Sequence, residues 1–447
     1  MKKTYAVIIT ITFILSLGKV SFALEIANKI SPRVQKQLTL KKRIPVIILG
    51  KTQLLGSSNA LAFFKKYNRH KKRSELRKNI VENLKKIAQR EQKKIISEMN
   101  IRTITAQLWI VNAIAANLTA EEIDKIATNK SVKYIYGDRH KPQSKKSNEG
   151  VSYILKRQEV KEFSTEGKTI PWNIKAVKAH KVWSELNILG KGVTIAMLDT
   201  GVNYLHSDLQ QNTWRNPGEI PNNKIDDDKN GLIDDYYGYN FKGGTAKVIA
   251  QGKQKHGTHT SGIIAGDGSG GILTGIAPES QLMYLIPWGS LVHTALSFQY
   301  ALEKGADIVN MSFSLPKLNQ ERGFMRTMSE HALIAGLVQV SGAGNFGTNS
   351  KHPEKIPVQL RTPEDIPSVI AVGGVNKQFK LASFSSTGPV EWGSVPFFED
   401  YSMPKGLIKP DIVAFSGPGY PLLQVTGSLY TVENNSIAGN SLSAPHV

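Results

Sequence analysis

Between residues 72 and 99 apolar side chains recur at steps of three or four, at Leu76, Ile80, Leu84, Ile87, Ile95 and Met99, with one polar gap at Glu91 and a Lys-rich opposite face. That period predicts an amphipathic helix. "IPVIILG" before it and "TAQLWIVNAI" and "VKYIYGD" after it each read as one strand, and "TAEEIDKIATN" as a short helix capped by Thr119. Strand, helix, strand, helix, strand predicts a small α/β domain over residues 30–140, with helices covering one face of a sheet. The polar, Lys-rich stretch that follows begins a linker, residues 141–170, of the kind where domains part and proteases cut.

From about Val193 the pattern changes. "VTIAML", "QLMYLI", "ADIVNMS", "LVQVSG", "SVIAVGGV" and "DIVAF" are near-continuous apolar runs, as in strands buried on both faces of a parallel sheet. Helical patterns at Leu291–Glu303 and Phe324–Ala335 lie between them. The expectation is an α/β domain over 171–447 with a doubly wound, mainly parallel sheet, its crevice beyond the carboxyl ends of the strands.

Charge divides the chain along the same line. Residues 24–150 carry 28 Lys or Arg against 10 Asp or Glu, whereas 151–447 carry 26 of each. Of the net charge of +21, +18 therefore sits in residues 24–150 and the rest in residues 1–23, and the larger unit has no electrostatic footprint for nucleic acid. Residues 1–23 open with Lys2 and Lys3, continue in an apolar run from Tyr5 to Leu17 and end at Ser21-Phe22-Ala23, the pattern of a secretory signal peptide. Lys19 interrupts the run before it reaches the roughly 20 residues a membrane span needs. The expected product is exported, extracellular or periplasmic, monomeric and free of the membrane once the signal is removed. Cysteine is absent, which excludes disulfides, a thiol nucleophile and a Cys-based zinc site. No organic cofactor is expected.

Three islands at strand ends or helix starts carry candidate chemistry. "AMLDTGVN" puts Asp199 just past its strand, "KHGTHTSGIIAG" puts His256 at a helix entrance, and "AGNSLSAPHV" puts Ser441 in the first turn of a helix. A neutral imidazole can take a proton from a serine hydroxyl when a carboxylate on its other nitrogen fixes tautomer and orientation. Asp, His and Ser supply those parts. In this order, and together with "GIAP" at 275–278, "SFSSTGP" at 383–389 and "KPDIVAF" at 409–415, the islands resemble the subtilisin-like serine peptidases from about Pro171 to Val447. The resemblance implies an endopeptidase acting on proteins or peptides through a covalent acyl-enzyme, with Ser441 as nucleophile, His256 as general base and then acid, and Asp199 orienting the imidazole. "VSGAGNFG" matches the family's oxyanion-hole stretch, so Asn345 would serve the oxyanion together with the N–H of Ser441.

The family's substrate edges match Ser312-Phe313-Ser314 and Trp288-Gly289. This chain departs from the family in having Ser314 where Gly is usual, and Pro287 removes an N–H from its edge. The 30–140 segment resembles the family's ferredoxin-like propeptide, most clearly over "NAIAANLTAEEIDKIATNKSVKYIYGD", and would act as an intramolecular inhibitor until cut. The competing readings are an inactive peptidase-like binder or gene remnant, and a basic adaptor with a degenerate second domain.

"NNKIDDDKNGLIDDYYG" places Asp226, Asp228, Asn230 and Asp234 around Gly231 at the spacing D-x-D-x-N-G-x-x-D. Hard oxygen ligands around a sharp turn suit a structural calcium ion, although position 12 is Tyr237 rather than Glu. Asp208 falls where the family has a calcium-binding Asp. Only about two helical turns separate Ser441 from Val447. The family continues this helix under the sheet, so the 447-residue form is expected to be truncated within the catalytic domain and inactive as it stands.

Overall fold

The computed structural model describes residues 25–56, 60–67, 72–138, 155, 163–250, 254–349, 351, 353–355, 358–431 and 435–447. The signal segment expected at 1–23 and most of the expected linker lie outside the described residues. The chain divides into two compact units, one drawn from within residues 1–57 and 82–140, the other from 58–81 and 141–447.

The first unit contains β1 (Ile44–Gly50), β2 (Ile104–Leu108), β3 (Ala113–Leu118) and β4 (Val132–Gly137). They form a sheet in the order β2-β3-β1-β4 with every neighbouring pair antiparallel. Helices α1 (Pro32–Leu38) and α3 (Ala120–Ala127) accompany them, together with residues 82–99 of α2 (Arg73–Met99). Apart from a further helix, Ala60–Tyr67, which falls in the other unit, the order from β1 to β4 is strand, helix, strand, strand, helix, strand, that of a ferredoxin-like domain. The run "TAQLWIVNAI" is therefore a hairpin rather than one strand. Its turn runs over three apolar residues and one asparagine, Trp109 to Asn112, and Asn112 makes it possible by adopting φ 42° and donating its side-chain amide to Thr52 O at 2.9 Å. On α2 the buried row drifts from Leu84 to Ala88, Gln92 and Ile95, so Glu91 is bypassed and Gln92 donates to Leu108 O at 3.1 Å. Thr119 and Glu122 close a reciprocal capping box on α3.

The second unit holds seven strands: β5 (Thr194–Leu198), β6 (Gly238–Asn240), β7 (Gln281–Ile286), β8 (Ile308–Met311), β9 (Val338–Gly342), β10 (Ile370–Val375) and β11 (Ile412–Phe415). All pair in parallel, in the order β11-β10-β9-β8-β5-β7-β6. Six of them are the apolar runs predicted from the sequence; β6 adds a short edge. The central strands are buried on both faces, which explains their continuous rather than alternating hydrophobicity. Helices α4 (His256–Ala265), α5 (Leu291–Glu303) and α6 (Arg322–Ile334) belong to this unit. Because β5 has β7 and β6 on one side and β8 to β11 on the other, the order of strands reverses around it. Side chains just past its carboxyl end stand at a topological switch point, where doubly wound sheets open a crevice.

Candidate active site

Asp199 follows β5 directly and is buried, and its carboxylate is fully engaged. Oδ1 accepts Thr200 N–H at 2.7 Å, Oδ2 accepts the Thr260 hydroxyl at 3.0 Å, and His256 Nδ1 lies 2.7 and 2.9 Å from the two oxygens. His256 opens α4, whose following residues, Gly257 to Ala265, are all buried. Gly257 allows this close seating, since a Cβ there would come within 2.4 Å of Gly201 O. The His256 side chain is 39% exposed and can meet a substrate. Burial disfavours its charged form, but the charge and hydrogen bond of Asp199 outweigh that and raise its pKa above the ordinary histidine value. His259, one turn on, is driven down to about 4 by burial and then by Lys255 and His256. Of the two, only His256 has a carboxylate on one nitrogen.

Ser441 lies in a 3-10 turn, Asn440–Leu442, followed by a second, Ala444–His446. The expected first turn of an α-helix is thus a tighter structure. Pro445 lacks the N–H that would join the two turns, and Leu442 O receives His446 Nδ1 at 2.8 Å instead. The turn is anchored from several sides. Asn440 Nδ2 donates to Gly344 O and Ser385 Oγ at 2.8 and 2.9 Å, and Ser443 Oγ to Val372 O at 3.0 Å. Ser441 Oγ donates to Ser312 O, and Ser312 Oγ returns a bond to Ser441 O, both at 2.9 Å. Among the described residues no hydrogen bond joins Ser441 to His256, and none takes up the Ser441 N–H. Asn345 Oδ1 accepts Asn440 N–H at 2.8 Å. A Cβ on Gly439 would lie 3.2 Å from Asn345 Nδ2.

The two expected substrate edges touch through their aromatic residues: Trp288 and Phe313 meet edge to face with centroids 4.9 Å apart. Gly289, at φ 107°, turns the chain after Trp288. Ser314 Oγ donates to Glu364 Oε1 at 2.6 Å. Glu364 is wholly buried, and burial pushes its carboxyl well above the usual range.

The acidic loop does not gather its predicted ligands. Asp226 caps the N–H groups of Asn230 and Gly231, and Asp234 accepts those of Asn223 and Lys224. Asp208 has both oxygens taken, by Gly270 N–H and the Ser207 hydroxyl on Oδ1 and by the Tyr430 hydroxyl on Oδ2. Asp228 instead converges with Glu219 and Asp235, their ligand oxygens within 4.8 Å of one another. Asn230 and Asn216 donate to Asp235 Oδ2 at 3.1 and 3.2 Å. Glu219 Oε2, Asp228 Oδ1 and Asp235 Oδ1 are buried without a hydrogen-bond partner, which fits a cation. Lys304 already supplies one positive charge, bonded to Asp228. Glu219, Asp235 and Lys304 escaped the sequence reading because they come from outside the repeating D-x-D-x-N pattern.

Comparison with known proteins agrees with this architecture. The model of the Subtilase family (Peptidase_S8) matches residues 190–447. The chain is 28% identical over 284 residues to the major intracellular serine protease of Bacillus subtilis (strain 168), covering 62% of this chain and 72% of that protein. It is 26% identical over 309 residues to subtilisin E of the same organism, covering 67% of this chain and 65% of the relative. To subtilisin-like protease 1 of Plasmodium berghei it is 28% identical over 217 residues, 47% of this chain and 36% of the relative. With more than half of its length matched by the family model, the chain belongs to the subtilase family.

Proposed function

We propose that the protein is an exported serine endopeptidase made as a precursor, in which Asp199, His256 and Ser441 form the catalytic triad. The observation that carries this reading is the buried Asp199 carboxylate holding His256 Nδ1 at 2.7 Å, beside a serine turn anchored to β10 and to the Asn345 loop. The Asp199 bond places the proton on Nδ1 and leaves Nε2 as the acceptor. For reaction the Ser441 hydroxyl turns from Ser312 O towards His256, gives Nε2 its proton and attacks the scissile carbonyl carbon. The oxyanion is met by Asn345 Nδ2 and the free Ser441 N–H. His256 then protonates the departing amine, and water, deprotonated by the same nitrogen, releases the acyl group from Ser441.

The ferredoxin-like unit is proposed as the propeptide, removed by cleavage in the 141–170 linker. Calcium, where bound, would be held by Glu219, Asp228 and Asp235 and would supply positive charge to a carboxylate cluster that Lys304 neutralises only in part. One variant tests the core of the reading. In a full-length form the wild-type protein should be labelled at Ser441 by a fluorophosphonate and cut in the linker, while Ser441→Ala should show neither. Labelling or cutting that survives the substitution in a protease-free preparation would sink the assignment.

A further inference from the structure

The parallel ladder between β5 and β7 runs in register from Thr194 opposite Gln281 to Leu198 opposite Leu285. One residue further, Asp199 N–H still donates to Leu285 O at 3.1 Å. In a parallel pair, a residue that donates to one position of its neighbour receives on its carbonyl the N–H two positions later. For Asp199 that donor would be residue 287. It is Pro287, which has no N–H. The Asp199 carbonyl would be left an orphaned acceptor where the sheet meets the site, in a residue only 2% exposed. The structure fills the gap with a side chain: the indole N–H of Trp288 donates to Asp199 O at 2.9 Å. That indole is itself held. Its ring packs on Phe313, and the Trp288 carbonyl is bonded by His293 Nδ1 at 3.0 Å.

We propose that Trp288 is a positioning residue for Asp199, its indole supplying the ladder donor that Pro287 lacks. The carboxylate that orients His256 then stands on a main chain bonded through both its N–H and its C=O. This role rests on the triad reading and is additional to any contact Trp288 makes with substrate.

Pro287 makes the idea testable by rescue. Trp288→Phe keeps an aromatic ring and removes only the donor; adding Pro287→Ala restores a backbone N–H at the position the ladder requires. Trp288→Phe should slow fluorophosphonate labelling of Ser441 about 5–10-fold, the rate equivalent of one lost hydrogen bond. It should also shift the acid limb of the labelling pH profile and lower the thermal midpoint by roughly 2–6 °C. The double variant should recover all three. A small fluorophosphonate without peptide side chains makes the readout independent of substrate fit. Wild-type labelling in Trp288→Phe would overturn the proposal, and so would a double variant no better than the single one, since the ring and not its N–H would then matter. The melting cycle needs no catalysis. If the wild-type protein is not labelled at Ser441, the triad reading falls, while the thermal midpoints still decide whether Trp288 completes the ladder.

Discussion

Replacing Lys304 with Met should make the second unit dependent on calcium. The ammonium bonds Asp228 Oδ2, lies 3.8 Å from Asp235 Oδ2 and faces the Tyr300 ring at 5.7 Å. The three side chains are 14%, 17% and 0% exposed, so solvent screens them little. The carboxylates respond differently. For Asp228, burial is the largest influence and works upward, but the Lys304 and Asn216 bonds outweigh it and its pKa is lowered. For Asp235, burial prevails over the Tyr300 bond and the more distant ammonium, and its pKa is raised. The lowered Asp228 stabilises the fold above its unfolded pKa, an advantage lost as pH falls through the folded value. Removing one member of a buried pair costs about 3–5 kcal/mol, which for a unit of this size lowers the thermal midpoint by roughly 6–20 °C. Met conserves the apolar stem, so the loss reports the charge. Calcium at about 100 times its dissociation constant returns about 2.7 kcal/mol by binding the folded state. Differential scanning calorimetry at pH 7 with calcium and with chelator measures both effects. Equal midpoints for Lys304→Met and wild type in chelator would refute the role of Lys304 as counter-charge. A calcium shift no larger in the variant would refute the site at Glu219, Asp228 and Asp235.

Two further expectations concern protonation. Because Asp199 raises the His256 pKa, the imidazolium persists above the ordinary histidine range, and the acid limb of kcat/KM should fall above pH 6.5; a limb below 6.5 would contradict the pairing. Glu364, whose raised pKa keeps it neutral in the fold, contributes stability that is complete below the unfolded carboxyl value and lost as pH rises through the folded one. Glu364→Gln should therefore match wild type near pH 5 and melt higher at pH 9, and parallel melting curves across that range would show that the carboxyl is not being held neutral.

The strands that build the site were legible because burial on both faces leaves "TIAML" and "QLMYLI" near-continuously apolar after their first, partly buried residue. β6 was not legible, since three residues, Gly-Tyr-Asn, carry no period. The hairpin after α2 was hidden for the opposite reason. Its turn is otherwise apolar, and what bends the chain is one asparagine in a left-handed conformation, bonded to a residue 60 positions away. In the acidic loop the spacing pointed to one set of oxygens, and the structure brings a different set together. Of the four loop residues, Asp228 alone joins the buried carboxylate group, while Asp226 and Asp234 spend their oxygens on the loop's own N–H groups. A D-x-D-x-N-G pattern serves either purpose, and only the approach of Glu219 and Lys304 distinguishes them.

The same distinction separates the reacting groups from their supports. Asp199, His256, Ser441 and Asn345 stand out in the sequence because the proposed reaction demands a carboxylate, an imidazole, a hydroxyl and an amide, and few other residues would serve. Their supports are set by register. Thr260 reaches Asp199 because it lies one turn beyond His256 on α4, and Ser385 reaches Asn440 across 55 residues. Pro287 and Trp288 show how much such a support depends on its exact neighbours. Proline at 287 is a defect in the ladder only because β5 and β7 pair with Leu198 opposite Leu285, and tryptophan at 288 repairs it only because its indole reaches back one residue. Shifted by one position in the register, the same two residues would be an ordinary strand end, with no donor missing and none supplied.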